Sequence, residues 1–172
     1  MTFAQAIKAV LPHVSTDRTI HILNHVRVHP GYVEATDRYT AARSTWQYEG
    51  DTFEPFLIHK DHAKTIRENY TAHTADTLTL SNGARIPLYP DPHEYPNIGI
   101  LFEQFTEQDA LTYGRIAFHP AHLAKFKAAA LVRESREKTL PLHIELPAAN
   151  SKPVRITFSD HFTGLIAPVR FF

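Results

Sequence analysis

The chain has 172 residues and balanced charge, 18 Lys+Arg against 18 Asp+Glu with twelve histidines counted neutral, which argues against a protein that coats DNA by bulk electrostatics. At roughly 100–200 residues per domain this is one domain or a domain and a half, and 43% hydrophobic residues are enough for a core and too many for a disordered chain. No apolar run approaches the roughly 18 residues of a membrane span, no secretory signal is visible, and the lack of cysteine removes disulfides, thiolate metal sites and cysteine nucleophiles, so a soluble protein of the cytoplasm is expected.

Phe3, Ala6, Ile7, Val10, Leu11 and Val14 recur at helical spacing, and Pro12 should end that helix. Thr19 to Trp46 reads as extended, with Val26 and Val28 alternating with Arg27 and His29 before a Pro30-Gly31 turn. Glu54 to Ile58 predicts a strand and Asp61 to Tyr70 a helix. Thr77 to Leu80 and Ala84 to Tyr89 predict a hairpin about Asn82-Gly83, read as a type I′ turn. Prolines 87, 90, 92 and 96 mark a connector. Gly114 to Phe118 predicts a strand, Pro120 the first turn of a helix to about Arg136, and Leu142–Leu146, Val154–Ser159 and Phe162–Val169 three further strands.

An internal repeat supports this pattern. Ile58-His59-Lys60-Asp61-His62-Ala63 lies over Phe118-His119-Pro120-Ala121-His122-Leu123, each ending a strand and opening a helix. About three strand–helix–strands units result. Phe162–Val169, read as an edge strand, should make the chain self-associate, as a dimer or a tetramer.

Three segments then resemble the bacterial sliding clamp, the β subunit of the replicative DNA polymerase. Val33-Glu34-Ala35-Thr36-Asp37-Arg38-Tyr39-Thr40-Ala41-Ala42 is similar to the clamp motif Ala-Thr-Asp-Gly-His-Arg-Leu-Ala, with Arg38 at the Gly position, Tyr39 at the His and Ala41 at the Leu. Leu88-Tyr89-Pro90 through Tyr95-Pro96-Asn97 resembles the segment closing a clamp domain, and Gly164 to Phe171 resembles the clamp's terminal strand. The resemblance implies an α+β fold of the sliding-clamp type, antiparallel sheets with helices packed on one side. It implies a clamp-like domain over 1–98, with 99–172 a half-domain or a continuation of the same fold.

Function follows as an expectation from the resemblance. Clamp helices face the DNA backbone, so Lys60, Lys64, Arg67, Lys125 and Arg136 are candidate contacts to double-stranded DNA, independent of its sequence. Ordinary amphipathic helices would carry the same stripes on solvated faces. Clamps capture polymerase peptides beside the matching motifs, here Thr36, Arg38, Tyr39, Ala41, Ala167, Pro168, Val169 and Arg170. Arg38 and Phe172 could instead fill that groove. The preferred reading is a non-enzymatic clamp-like factor in DNA replication or repair, without cofactor and oligomeric. The alternative is a clamp-derived module that binds proteins and not DNA.

A metal-dependent or hydrolytic enzyme is the lower alternative. His21, His25 and His29 lie on or beside strands, where four residues span about 13 Å, too far for one ion. His59/His62 and His119/His122 recur within a repeat, which suggests a structural origin. No Gly-x-Ser-x-Gly elbow or phosphate-binding loop is present, and Glu34, Asp37 and Asp160 suit strand ends and turns.

Overall fold

Thr2 and Gln5 start the first helix reciprocally. The Thr2 hydroxyl accepts from the Gln5 N–H at 3.3 Å, and the Gln5 side chain accepts from the Thr2 N–H at 2.9 Å. The helix, α1 (Phe3–Val10), then closes in a tight turn around Pro12. The computed structural model describes residues 1–89, 95–103, 116–131, 142–147 and 152–169.

Strands β1 (His25–His29), β2 (Tyr32–Thr36) and β3 (Thr40–Thr45) form an antiparallel meander, and β4 (Phe56–His59) pairs with the other edge of β1. Alternation sorts their faces. Val26, Val28, Val33, Ala35 and Ala42 go to the main core, while Arg27, Glu34 and Arg43 line up across the opposite face.

Helix α2 (Lys60–Ala63) is a single turn, shorter than the expected run to Tyr70. Side chains satisfy the carbonyls beyond it. The Thr65 hydroxyl donates to the His62 carbonyl at 2.7 Å, and Arg67 donates to the Lys64 and Ile66 carbonyls at 2.6 and 2.9 Å. The chain turns instead into β5 (Tyr70–His73), β6 (Thr77–Leu80) and β7 (Arg85–Pro87), a separate three-stranded sheet. Its β6–β7 hairpin differs from the expected type I′ turn. Gly83 is left-handed (φ +81°) and Asn82 is not, and the Leu80 N–H donates to the Ala84 carbonyl around a three-residue loop. An aromatic wall joins the two sheets, with Trp46 5.0 Å from Phe3 and 5.3 Å from Tyr70 between ring centroids.

The second half supplies α3 (Gly99–Glu103), α4 (Pro120–Ala124), α5 (Lys127–Leu131), β8 (His143–Glu145), β9 (Val154–Ser159) and β10 (Phe162–Ile166). The single helix expected from Pro120 is broken at Lys125–Phe126, where the bonds tighten to a three-residue spacing (Phe126 N–H to Leu123, Ala129 N–H to Phe126). The break drives Phe126 into the core against β10. A Cβ on Gly164 would lie 2.2 Å from that ring, so only glycine fits there. Arg136 and the rest of the expected helix lie outside the described residues, as do Gly114 and Arg115 of the expected strand. Its described part joins no ladder and offers one acceptor, the Ala117 carbonyl, to the Val169 N–H.

The seven strands of the main sheet run in the order β4-β1-β2-β3-β10-β9-β8. Strand β10 lies between β3 and β9, with Gly164 opposite both Ala42 and Ile156. It is therefore central and not the edge strand its position near the C-terminus suggested; the described edge at this end is β8. The sheet draws strands from both sides of position 98. Helix α1 packs against its apolar face over β2 and β3, and α5 packs on α1.

Candidate partner site and cationic face

The β2–β3 turn is held from inside. The Thr36 hydroxyl donates to the Thr40 carbonyl at 2.8 Å and accepts from the Arg38 N–H at 3.2 Å. One Asp37 carboxylate oxygen accepts from the Tyr39 and Thr40 N–H groups and the Thr40 hydroxyl, and the other takes the Lys125 ammonium. Burial raises the Asp37 pKa, but the bonds from Lys125 and Thr40 outweigh it and leave it below the ordinary carboxylate value. Arg38 adopts φ +81°, the conformation a glycine takes most easily, so its side chain is accommodated at a cost in backbone strain.

This turn meets the C-terminal segment. The Ala167 N–H donates to the Tyr39 carbonyl at 2.8 Å, two residues before Val169 reaches Ala117. Tyr39 is 58% exposed and Val169 46%. The Tyr39 ring stacks on His122 of α4 at 5.1 Å and 17°. Leu123 beside it is also exposed. Thus Tyr39, Ala167, Pro168 and Val169 come together at one surface junction. Thr36 is buried in the turn, and Ala41 is buried on the opposite sheet face with Leu165 and Ile98. Arg170 lies outside the described residues, as does Phe172. His122 is the participant that residue patterns alone did not assign to this surface. Its place in the His-x-x-His repeat was its only signal.

The cationic candidates divide. Lys60 donates to the Ser15 carbonyl at 3.1 Å and to Asn24 at 2.7 Å, so it ties the loop after α1 to α2. Lys125 is bound to Asp37. Lys64 and Arg67 remain at the surface, Lys64 paired with Asp61 at 2.9 Å. With Lys8 and Gln5 of α1 they rim a groove of about 530 Å³ floored by Leu11 and Ile66. Lys8 is the cation that the stripe on α2 did not predict.

The histidines take separate structural tasks. His59 and His119 each cap the following helix, Nδ1 accepting from the N–H two residues on at 3.3 and 3.2 Å. This is the physical content of the repeat. His25 turns Nδ1 to the His21 and Ile22 carbonyls, and His29 reaches Glu34 at 3.3 Å, so His21, His25 and His29 do not converge. Among the described residues no group of three or more His, Asp or Glu side chains is placed to hold a metal ion. Glu34 is buried among Arg43 (2.9 Å), His29 and Arg27. Burial raises its pKa, and the His29 and Arg43 bonds bring it below the ordinary value, so it serves as an internal counter-ion.

The architecture is the sliding-clamp fold. Solved structures similar to it include the sliding clamp of Bacillus subtilis (TM-score 0.66, 15% identity, 98% of this chain and 62% of that one). The DNA polymerase β subunit of Streptococcus pyogenes gives 0.66, 14%, 98% and 63%. The C. crescentus β sliding clamp gives 0.67, 10%, 98% and 63%. The chain spans a little over three-fifths of these clamps. No protein-family model matches the sequence, and no curated protein does.

Proposed function

We propose that the chain is a non-enzymatic clamp-like factor of DNA replication or repair, acting in the cytoplasm without a cofactor. It captures a short peptide of a partner protein where the β2–β3 turn meets the C-terminal segment. The observation that carries this reading is the bond from Ala167 N–H to the Tyr39 carbonyl. It sets the exposed Tyr39 ring beside the exposed Val169 where the turn meets the C-terminal segment, and tyrosine is among the residue types enriched at interface hot spots. The groove of Lys8, Lys64 and Arg67 supplies weak contact with the backbone of double-stranded DNA, without sequence readout.

A second reading, a clamp-derived protein-binding module that leaves DNA alone, is favoured by one observation. Lys60 and Lys125 already bind groups of their own chain.

Calorimetric titration with peptides from polymerases tests the first reading. Tyr39→Ala should weaken binding by more than about 1 kcal/mol while the thermal melt stays unchanged. Equal binding by the variant, or no binding across a panel of peptides, overturns it.

A further inference from the structure

The start of β1 and the end of β4 border a cavity of about 420 Å³, lined by His21, Asn24, His25, His59, His62 and Tyr89. Its volume lies within the roughly 300–1,000 Å³ of small-molecule sites. His25 and His59 sit opposite each other across the two strands, with ring centroids 5.1 Å apart and planes at 72°. The Tyr89 ring stands 4.6 Å from that of His25, and the Tyr89 N–H is anchored on the Leu57 carbonyl at 2.9 Å.

Local bonds fix the tautomer of both imidazoles. Nδ1 of His25 faces the His21 and Ile22 carbonyls at 3.1 and 3.2 Å, so it carries the proton and leaves a lone pair on Nε2. Nδ1 of His59 accepts from the Asp61 N–H at 3.3 Å, so its proton lies on Nε2. Neither Nε2 has a hydrogen-bond partner among the described residues, although His25 is only 4% exposed. The cavity therefore carries a free acceptor and a free donor on two facing rings. Purine and pyrimidine bases present the complement, an N–H donor next to a nitrogen or carbonyl acceptor. We propose that this cavity binds an uncharged nucleoside, its base paired with Nε2 of His25 and of His59 and set against the Tyr89 ring. Every base has a π-face that an aromatic side chain can receive.

Charge agrees with an uncharged ligand. Burial holds both imidazoles below their ordinary pKa. The Lys60 charge adds to this at both rings, and His62 and Lys64 add to it at His59. The carbonyls at His25 and the Asp61 carboxylate at His59 act the other way. Both rings are therefore neutral at pH 7, as the donor–acceptor pair requires. The Lys60 ammonium is engaged by the Ser15 carbonyl and Asn24, and that of Lys64 by Asp61. The Asn24 amide nitrogen is engaged by the Asp17 carbonyl. A phosphate or carboxylate would find no Lys or Arg among the described lining residues. Nor does the pair chelate a metal ion, since only His25 keeps a free lone pair. The inference stands independently of the peptide and DNA sites.

Calorimetric titration of the full chain at pH 7 with adenosine, guanosine, cytidine and uridine tests it, with imidazole and Tyr89 ring resonances as a second readout. At least one nucleoside should bind and shift the His25, His59 and Tyr89 signals. The same nucleoside methylated at the pairing edge of its base should bind about tenfold more weakly to the unaltered chain, the worth of one hydrogen bond. His25→Phe should weaken binding to a similar degree, with a thermal melt to show that the variant is folded. Acid places a proton on Nε2 of His25 and removes the acceptor, so nucleoside affinity should fall toward pH 5, whereas a phosphate site would strengthen. No binding by any of the four nucleosides, equal binding of the methylated one, or inorganic phosphate that shifts these rings and binds more tightly in acid, would each overturn the proposal.

Discussion

His13, in the tight turn that closes α1, is fully buried 4.6 Å from the Phe126 ring, and neither ring nitrogen has a hydrogen-bond partner among the described residues. Burial, reinforced by the nearby Lys125 charge and opposed by Asp37, lowers its pKa to about 3. The folded chain therefore holds this imidazole neutral where the unfolded chain protonates it. Its contribution is complete above the unfolded value near 6.5 and is lost as pH falls toward 3, at up to about 1.4 kcal/mol per pH unit. Across the whole window that is roughly 4–5 kcal/mol. Urea melts at pH 7 and pH 4 should show a smaller acid loss in His13→Leu than in the native chain. Equal losses would show that His13 is not the acid-sensitive group. From sequence His13 was invisible in this role, because a histidine just past a helix is as readily solvated as buried.

Elements were legible where period and turn chemistry agreed. The α1 periodicity, the Pro30-Gly31 turn and the strand Val154–Ser159 follow from side-chain alternation and from backbone demands local to a few residues. The failures share a cause. Helix α2 stops early because the Thr65 and Arg67 side chains satisfy the carbonyls that another turn would use. At the α4–α5 break Phe126 packs onto Gly164 of β10. Both depend on partners that a periodicity does not contain.

The repeated histidines were noticed as a pattern, but their task as helix caps shows only in the bonds. His119→Ala should cost about 1 kcal/mol in urea denaturation by removing the acceptor for the Ala121 N–H, and His119→Asn should recover most of it. Indistinguishable Ala and Asn variants would show that the cap contributes nothing.

At the scale of the whole molecule, the clamp-type architecture was reached through three short motifs and not through periodicity. The position of β10 was not, since strand order within a sheet is a long-range property that termini do not reveal. The meeting of the Tyr39 turn with the terminal segment was foreseen from the resemblance, whereas the stacking of His122 on Tyr39 needed the fold. The cationic stripe was legible as charge and not as availability. Hence Lys64→Ala and Arg67→Ala should each reduce the log–log salt slope of duplex DNA binding by about 0.9. Lys60→Ala and Lys125→Ala should lower stability and leave that slope unchanged. Equal slope changes in all four variants would show that the internal bonds of Lys60 and Lys125 do not hold them back from phosphates.

The claim that most needs testing is that the junction of turn and terminal segment binds a partner. Nitrogen-15 chemical-shift mapping of the full chain during titration with a polymerase peptide tests it most directly. Shifts confined to Thr36–Ala41, His122–Leu123 and Ala167–Val169 are the predicted result. Shifts centred elsewhere, or none at saturating peptide, would contradict it.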